Sequence, residues 1–449
     1  MAESRPNIVV FFTDQQRFDS MGLHGNPLDL TPNFDRLAVE GTHLFNLFTP
    51  QPVCGPSRSV LQTGLYATAT GAYRNCVLPD PARKKLGERF REAGYQTGYI
   101  GKWHLAESDP VPVGQRGGYD YWLAANLLEF TSDAYRCDLF DGQGNKVRLP
   151  GYRVDALTDA AIRYVDDHQA GPFFLFLSFL EPHFQNHVDD YPPPDGYRER
   201  YTGRWAPPDL TALGGTTAQH LGGYWGMVKR LDEALGRLVD ALKSLGLMEK
   251  TVVLFTSDHG CHFKTRNGEY KRSGHESSIR VPGMLVGGRF QGGGRVRSLV
   301  SLIDLPPTLL HVAGIEVPGE MQGSSILPLL GGGADAGRPD DVFVQISEAQ
   351  VGRAVRTGRW KYGVEAPGAD GVSEMGAMRY VEEYLYDLYS DPYELRNLIG
   401  YESHAAVAAM MKGRLIKRMV AAGERAPEIV EAKREKVKER FVEPGALLQ

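Results

Sequence analysis

The chain has 449 residues, 42% hydrophobic and 23% charged, enough to bury a large core and more than one compact unit usually holds. A formal net charge of -5 gives no basic field of the kind that draws in nucleic acid or an anionic membrane, so an anionic ligand needs a local cluster of cations. The opening MAESRPNIVVFFTDQQ lacks the basic, apolar and small-residue regions of a secretory leader, and FFLFLSFL is too short to span a bilayer. The cysteines Cys54, Cys76, Cys137 and Cys261 form no CxxC pair. These features predict a soluble, cytoplasmic protein with reduced thiols, or a periplasmic one if a leader has been removed.

In chain order, NIVVFF (7–12) is a buried-strand pattern, and TPNFDRLAVEG (31–41) is a helix with Thr31 as N-cap, Pro32 in the first turn and Gly41 as stop. KLGERFREAGYQTGYIGKWH gives a helix, Gly94 as C-cap and a strand at 96–100, and PFFLFLSFLEPH gives another strand. From Met227 to Leu245 apolar residues recur at three- and four-residue spacing, so one helical face packs inward before the strand TVVLFTSDHG (251–260). This alternation predicts an α/β fold with a large, mostly parallel central sheet flanked by helices. After the Gly-rich LLGGGADAGRPDD (329–341), VFVQISE, AVRTGRWKYGV and YLYDLY read as antiparallel strands, followed by a helix near 402–422 and a charged tail. The expected division is a large domain over 1–335 and a smaller α+β domain with an antiparallel sheet over 336–449.

Polar residues gather at the C-terminal ends of four predicted strands: Asp14 and Gln15, Lys102 and His104, His183, and Asp258 and His259. In an open parallel sheet those ends share one edge, where such folds bind ligands. Asp14, Asp258, the Gln15 carbonyl and a His259 nitrogen suit a divalent cation, although each aspartate alone also reads as a cap on the turn after its strand. Lys102, Lys271 and Arg58 supply the positive field that the net charge lacks. His104 and His183 titrate where proton transfer is useful, and each also fits a purely structural role. In VCGPSRSVLQTG (53–64), Pro56 suits the first turn of a helix, which puts Cys54 at the positive end of its dipole and near Arg58. No His-Asn or His-Asp arrangement is recognisable for a cysteine hydrolase, and soft sulfur matches an oxygen-rich metal shell poorly. Something harder than sulfur is wanted at position 54.

The string Cys54-Gly55-Pro56-Ser57-Arg58, continuing to Thr63-Gly64, resembles the C-x-P-S-R-x-x-x-x-T-G signature of type I sulfatases in the alkaline-phosphatase-like superfamily. PNIVVFFTDQQ, TPNFDRLAVEG, GYIGKWHL, EPH, FTSDHG, YKRSGHESSIRVPGM, MQGSSILPLL and YDLYSDPYELRNL extend the resemblance over nearly the whole chain. It implies that Cys54 is raw material, oxidised to Cα-formylglycine by a formylglycine-generating enzyme or an anaerobic maturase that binds transiently. The aldehyde hydrates to a gem-diol, one hydroxyl of which attacks the sulfur of a sulfate ester. By the same resemblance Asp14, Gln15, Asp258, His259 and the modified Cys54 hold the metal, and Arg58 supports the diol. Lys102 and Lys271 neutralise the sulfate oxygens, His183 protonates the departing alcohol, and His104 deprotonates the second hydroxyl so that sulfate is expelled.

Many family members have Asp-Asp and Asp-Asn where this chain has Asp14-Gln15 and Asp258-His259. Calcium is the ion implied, and exchanging one anionic ligand for a nitrogen donor extends the expectation to manganese or another divalent ion. The Gln/His combination also resembles choline sulfatases, several bacterial polysaccharide sulfatases and phosphonate monoester hydrolases. The expected substrate is therefore a sulfated small molecule or saccharide, with a phosphonate monoester or phosphodiester as the alternative and a non-catalytic binding protein as a distant one. His24, Arg17, Arg74, Trp103, His187 and His275 are the residues considered for gripping a sugar.

Overall fold

A computed structural model describes residues 5–292, 294–332 and 337–434. Its main sheet has ten strands among these residues, running from edge to edge as Arg295–Val296, Thr42–Leu44, Gly283–Val286, Thr251–Ser257, Asn7–Thr13, Phe173–Ser178, Gln96–Lys102, Tyr121–Ala125, Cys137–Phe140 and Lys146–Leu149. The five central strands, from Thr251–Ser257 to Tyr121–Ala125, pair in parallel, and antiparallel strands flank them on both sides.

Side-chain alternation along one strand explains the two-sided core. Val9 and Phe11 face a cluster that includes Leu157, Leu231 and Leu235, from the helices Arg153–Asp167 and Thr217–Ser244. Ile8, Val10 and Phe12 face the other way, towards Phe90 and Leu309 of the helices Leu86–Glu92 and Leu305–Val312. The expected α/β architecture is the one observed.

Two local expectations change. The long helix starts at Thr217, ahead of the apolar stripe, because Gly222, Gly223 and Gly226 let it approach the chain segment around Tyr191–Thr202 closely; a Cβ at Gly223 would collide with the Tyr191 carbonyl. Thr31 stands at the N-cap position of Pro32–Glu40 but does not cap it. Its Oγ1 accepts from the Gly22 N–H, while Asp232 of the long helix takes the Asn33 and Phe34 N–H groups at 3.1 and 2.8 Å.

The smaller C-terminal sheet follows the order Asp341–Ile346, Gly352–Thr357, Trp360–Glu365, Arg379–Asp387, Glu428–Val430. Its first four strands are antiparallel, the stretch AVRTGRWKYGV divides into two of them, and Glu428–Val430 adds in parallel. The helix Ala405–Ala421 packs Val407, Met411 and Leu415 onto it. The expected division at 335/336 and the tail beyond 434 lie outside the described residues. Among the described residues no helix is long and apolar enough to cross a membrane.

Lys361 of this sheet, fully buried, reaches Glu276 at 2.8 Å and Glu394 at 2.6 Å and so ties the C-terminal strands to the segment carrying Lys271. Removing one member of a buried charge cluster leaves its partners uncompensated. Lys361→Met is expected to cost about 3–5 kcal/mol of unfolding free energy in urea melts; a cost within about 1 kcal/mol would mean the cluster holds nothing together.

Candidate active site

The C-terminal ends of the parallel strands deliver the site. Asp14 follows Asn7–Thr13, Lys102 ends Gln96–Lys102, and Asp258 follows Thr251–Ser257. The fully buried helix Cys54–Thr63 points its N-terminus at them. It is fixed there by Ser57 Oγ donating to the Asp258 carbonyl at 2.7 Å and by Gly64, at φ 73°, in its C-cap.

Cys54 Sγ lies 2.8 Å from Lys271 Nζ, 3.2 Å from His259 Nε2 and 3.6 Å from Asp14 Oδ1. Arg58 forks between the two aspartates, with Nη2 2.9 Å from Asp14 Oδ2 and Nε 3.3 Å from Asp258 Oδ2, while Nη1 donates to the Lys102 carbonyl and Ser178 Oγ. Lys102 Nζ bridges Asp14 Oδ2 at 2.9 Å and Glu129 Oε1 at 3.0 Å. The nitrogen Nδ1 of His183 lies 2.6 Å from the Phe184 carbonyl, which fixes its proton there and leaves Nε2 to accept from Lys271 Nζ at 3.1 Å. His104, at φ 61°, is anchored by its N–H to the Asn126 carbonyl, and its ring sits against the thiols of Cys54 and Cys76.

The electrostatics follow from this packing. Burial opposes ionisation of Cys54, but Lys102, Lys271 and His259 outweigh it and hold the thiol well below its ordinary range. Burial likewise disfavours the Lys102 ammonium, yet Asp14, Cys54 and Glu129 more than offset it. The His183 imidazole is pushed down by burial and by the neighbouring Lys271, so it is neutral at pH 7. Asp258 is pushed up to about 6, by burial and by the charge of Asp14.

The arrangement fits a hard divalent cation. Ligand atoms of Asp14, Cys54, Asp258 and His259, all buried, lie within 4.8 Å of one another. Gln15 Nε2 is held by Tyr191 Oη at 2.9 Å and Cys261 Sγ at 3.4 Å, so its buried Oε1, without a hydrogen-bond partner, is free to ligate. His259 Nδ1 is 2.9 Å from the Gly260 carbonyl, which places the proton there and presents the Nε2 lone pair. Asp258 also does what the turn-cap reading expects, accepting from the Gln15 and His259 N–H groups through Oδ1. Because Asp258 holds a proton below about pH 6, a cation must displace it there. Adding calcium is expected to raise the thermal midpoint more at about pH 7.5 than at about pH 5.5; the opposite order would remove these carboxylates from the cation site.

A family model described as Sulfatase matches residues 6–315, and one described as N-sulphoglucosamine sulphohydrolase, C-terminal, matches 268–421. The chain belongs to the sulfatase family. Members are sulfuric ester hydrolases, and an ulvan-active sulfatase from Formosa agariphila is 28% identical over 94% of this chain and 82% of its own. An N-acetylglucosamine-6-O-sulfatase from Bacteroides thetaiotaomicron is 25% identical over 89% of this sulfatase and 84% of its own chain. The crystal structure of a putative sulfatase yidJ from Bacteroides fragilis superposes with a TM-score of 0.83 at 25% identity, covering 94% of this chain and 97% of that one.

The residues considered for sugar contact fare differently from the core of the site. Arg17 is 1% exposed and paired with Asp19 and Asp209, and Trp103 is buried among Tyr99, Tyr119 and Trp122. His24 packs against Phe45 with Nε2 3.1 Å from His43, His187 pairs outward with Asp133, and His275 is bound to Tyr386 at the joint with the C-terminal sheet. Arg74 is linked to the thiol through the backbone: it donates to the carbonyl of Asn75, whose side chain accepts from the Gly55 N–H beside Cys54. Sequence reasoning singled out neither Glu129 nor Asn75. Glu129 ends an apolar run just past the strand Tyr121–Ala125, a strand-end position of the kind that singled out the others.

Proposed function

We propose that this sulfatase hydrolyses a sulfate ester of a saccharide, with Cys54 matured to Cα-formylglycine by a formylglycine-generating enzyme or an anaerobic maturase. The observation that carries the reading is the convergence of Lys271, His259 and Asp14 within 3.6 Å of one buried thiol. That thiol stands where oxygens of the hydrated aldehyde would lie. Matured and metal-loaded, the site is supplied with an oxygen nucleophile and a cation, calcium in our reading and manganese as the alternative, that lowers its pKa.

The chain's own groups do the rest. Arg58 donates to Asp14, the Lys102 carbonyl and Ser178 and pairs ionically with Asp258, and so positions the carboxylates. Lys102 and Lys271 each have two close partners, which leaves each ammonium a donor for a sulfate oxygen as charge develops. Lys271 and His183 share the proton given to the departing alcohol, and His104, pressed against position 54, takes the proton whose loss releases sulfate. The saccharide is supported by relatives named for ulvan and for N-acetylglucosamine 6-O-sulfate.

The test is turnover by matured protein of sulfated monosaccharides, 4-nitrophenyl sulfate and an aryl phosphonate monoester on one preparation. Higher kcat/KM on the sulfates is expected. Preference for the phosphonate would replace this reading with that of a phosphonate hydrolase.

A further inference from the structure

Glu129 is a buried acid in a site built to receive an anion. Its residue is 4% exposed and Oε1 is held by Lys102, yet Oε2 has no hydrogen-bond partner. The same Lys102 Nζ that holds Oε1 at 3.0 Å lies 2.9 Å from Asp14 Oδ2, so a single ammonium separates this carboxylate from the candidate cation site. The amide nitrogen of Gln185 is committed elsewhere, to the carbonyls of Glu129 and Ser132. Gln185 is itself clamped by the fully buried Arg153, so the short helix carrying Glu129 has a fixed place. Burial resists ionisation of this carboxyl, but Lys102 above all holds it below its ordinary range, so at neutral pH it accepts hydrogen bonds and donates none.

A substrate that fills the site and excludes water must bring its own donor or leave a carboxylate unpaired beside a sulfate. Resting on the sulfatase reading above, we propose that Glu129 determines specificity: its free oxygen accepts a hydrogen bond from a hydroxyl or ammonium group flanking the scissile ester. The site thereby selects sulfated polyols and amino sugars over sulfates without a neighbouring donor.

Matured wild-type, Glu129→Ala and Glu129→Gln proteins are compared on 4-nitrophenyl sulfate, which has no donor, and on the 3- and 6-sulfates of glucose, galactose, glucosamine and N-acetylglucosamine, the 3-sulfate of glucosamine placing its ammonium beside the ester. Loss of the partner of Lys102 is expected to lower kcat/KM on the aryl ester about tenfold, and Glu129→Ala to lower it at least about 100-fold on the best sugar sulfate. The isosteric Glu129→Gln keeps the packing should the alanine variant unfold, and shows the same excess loss. A hydroxyl can also accept from its amide, so part of the sugar activity survives with a hydroxyl donor and none of the excess is recovered with an ammonium. Equal losses on aryl and sugar esters overturn the inference alone, whereas a wild type that cleaves the aryl ester and none of the sugars overturns it together with the saccharide substrate and leaves sulfate-ester hydrolysis standing. A matured wild type that cleaves no sulfate ester refutes the sulfatase reading and this inference with it.

Discussion

Cys54→Ala is expected to reduce turnover of any sulfate ester at saturation by at least about 10⁵-fold, the size of loss seen when a covalent nucleophile is removed. The side chain is 1% exposed at the N-terminus of a buried helix, and Lys271 Nζ, His259 Nε2 and Asp14 Oδ1 all converge on its Sγ. Alanine leaves the cations and the cation-binding carboxylates in place but no atom for maturation to oxidise. Substrate binding should persist within about tenfold, because Lys102 and Lys271 remain, so the loss appears in kcat. Residual activity within about 100-fold of wild type, in protein free of host sulfatases, would remove Cys54 from the chemistry.

Lys102→Met should lower kcat/KM by about 10³–10⁴-fold, more than one donor alone contributes, because the ammonium has two tasks. It is fully buried between Asp14 Oδ2 and Glu129 Oε1, and it is a principal cation acting on Cys54. Without it two carboxylates face an incoming sulfate with less compensation, and the fold itself is expected to lose about 3–5 kcal/mol. Lys102→Arg should not restore activity, since a planar fork cannot replace a point charge at the end of a buried strand. Steady-state kinetics with parallel thermal melts checks both, and a loss of less than tenfold with an unchanged melting midpoint would contradict the role.

Much of this centre is legible in the chain because parallel sheets put strand ends on one edge. NIVVFFT, GYIGK and TVVLFTS each announce a buried strand, and the polar residues at their C-terminal ends, Asp14-Gln15, the Lys102–His104 stretch and Asp258-His259, had to meet. Residues whose roles depend on a distant partner were less legible. Nothing near Arg17 in sequence points to Asp209, 192 positions away, and nothing near His24 shows that its ring rests against His43 and Phe45. Glu129 is hidden for a related reason: its carboxyl gains meaning only through Lys102 on a neighbouring strand. The N-terminal part of the long helix is masked by glycines that serve close packing and carry no helical period.

The most direct test pairs the mass of the tryptic peptide containing residue 54 with turnover on the same samples, prepared with graded amounts of maturation enzyme. Sulfate release should rise in proportion to the fraction of Cys54 found as the aldehyde and vanish where only thiol is present. Full activity in a sample whose Cys54 is entirely thiol would contradict the account.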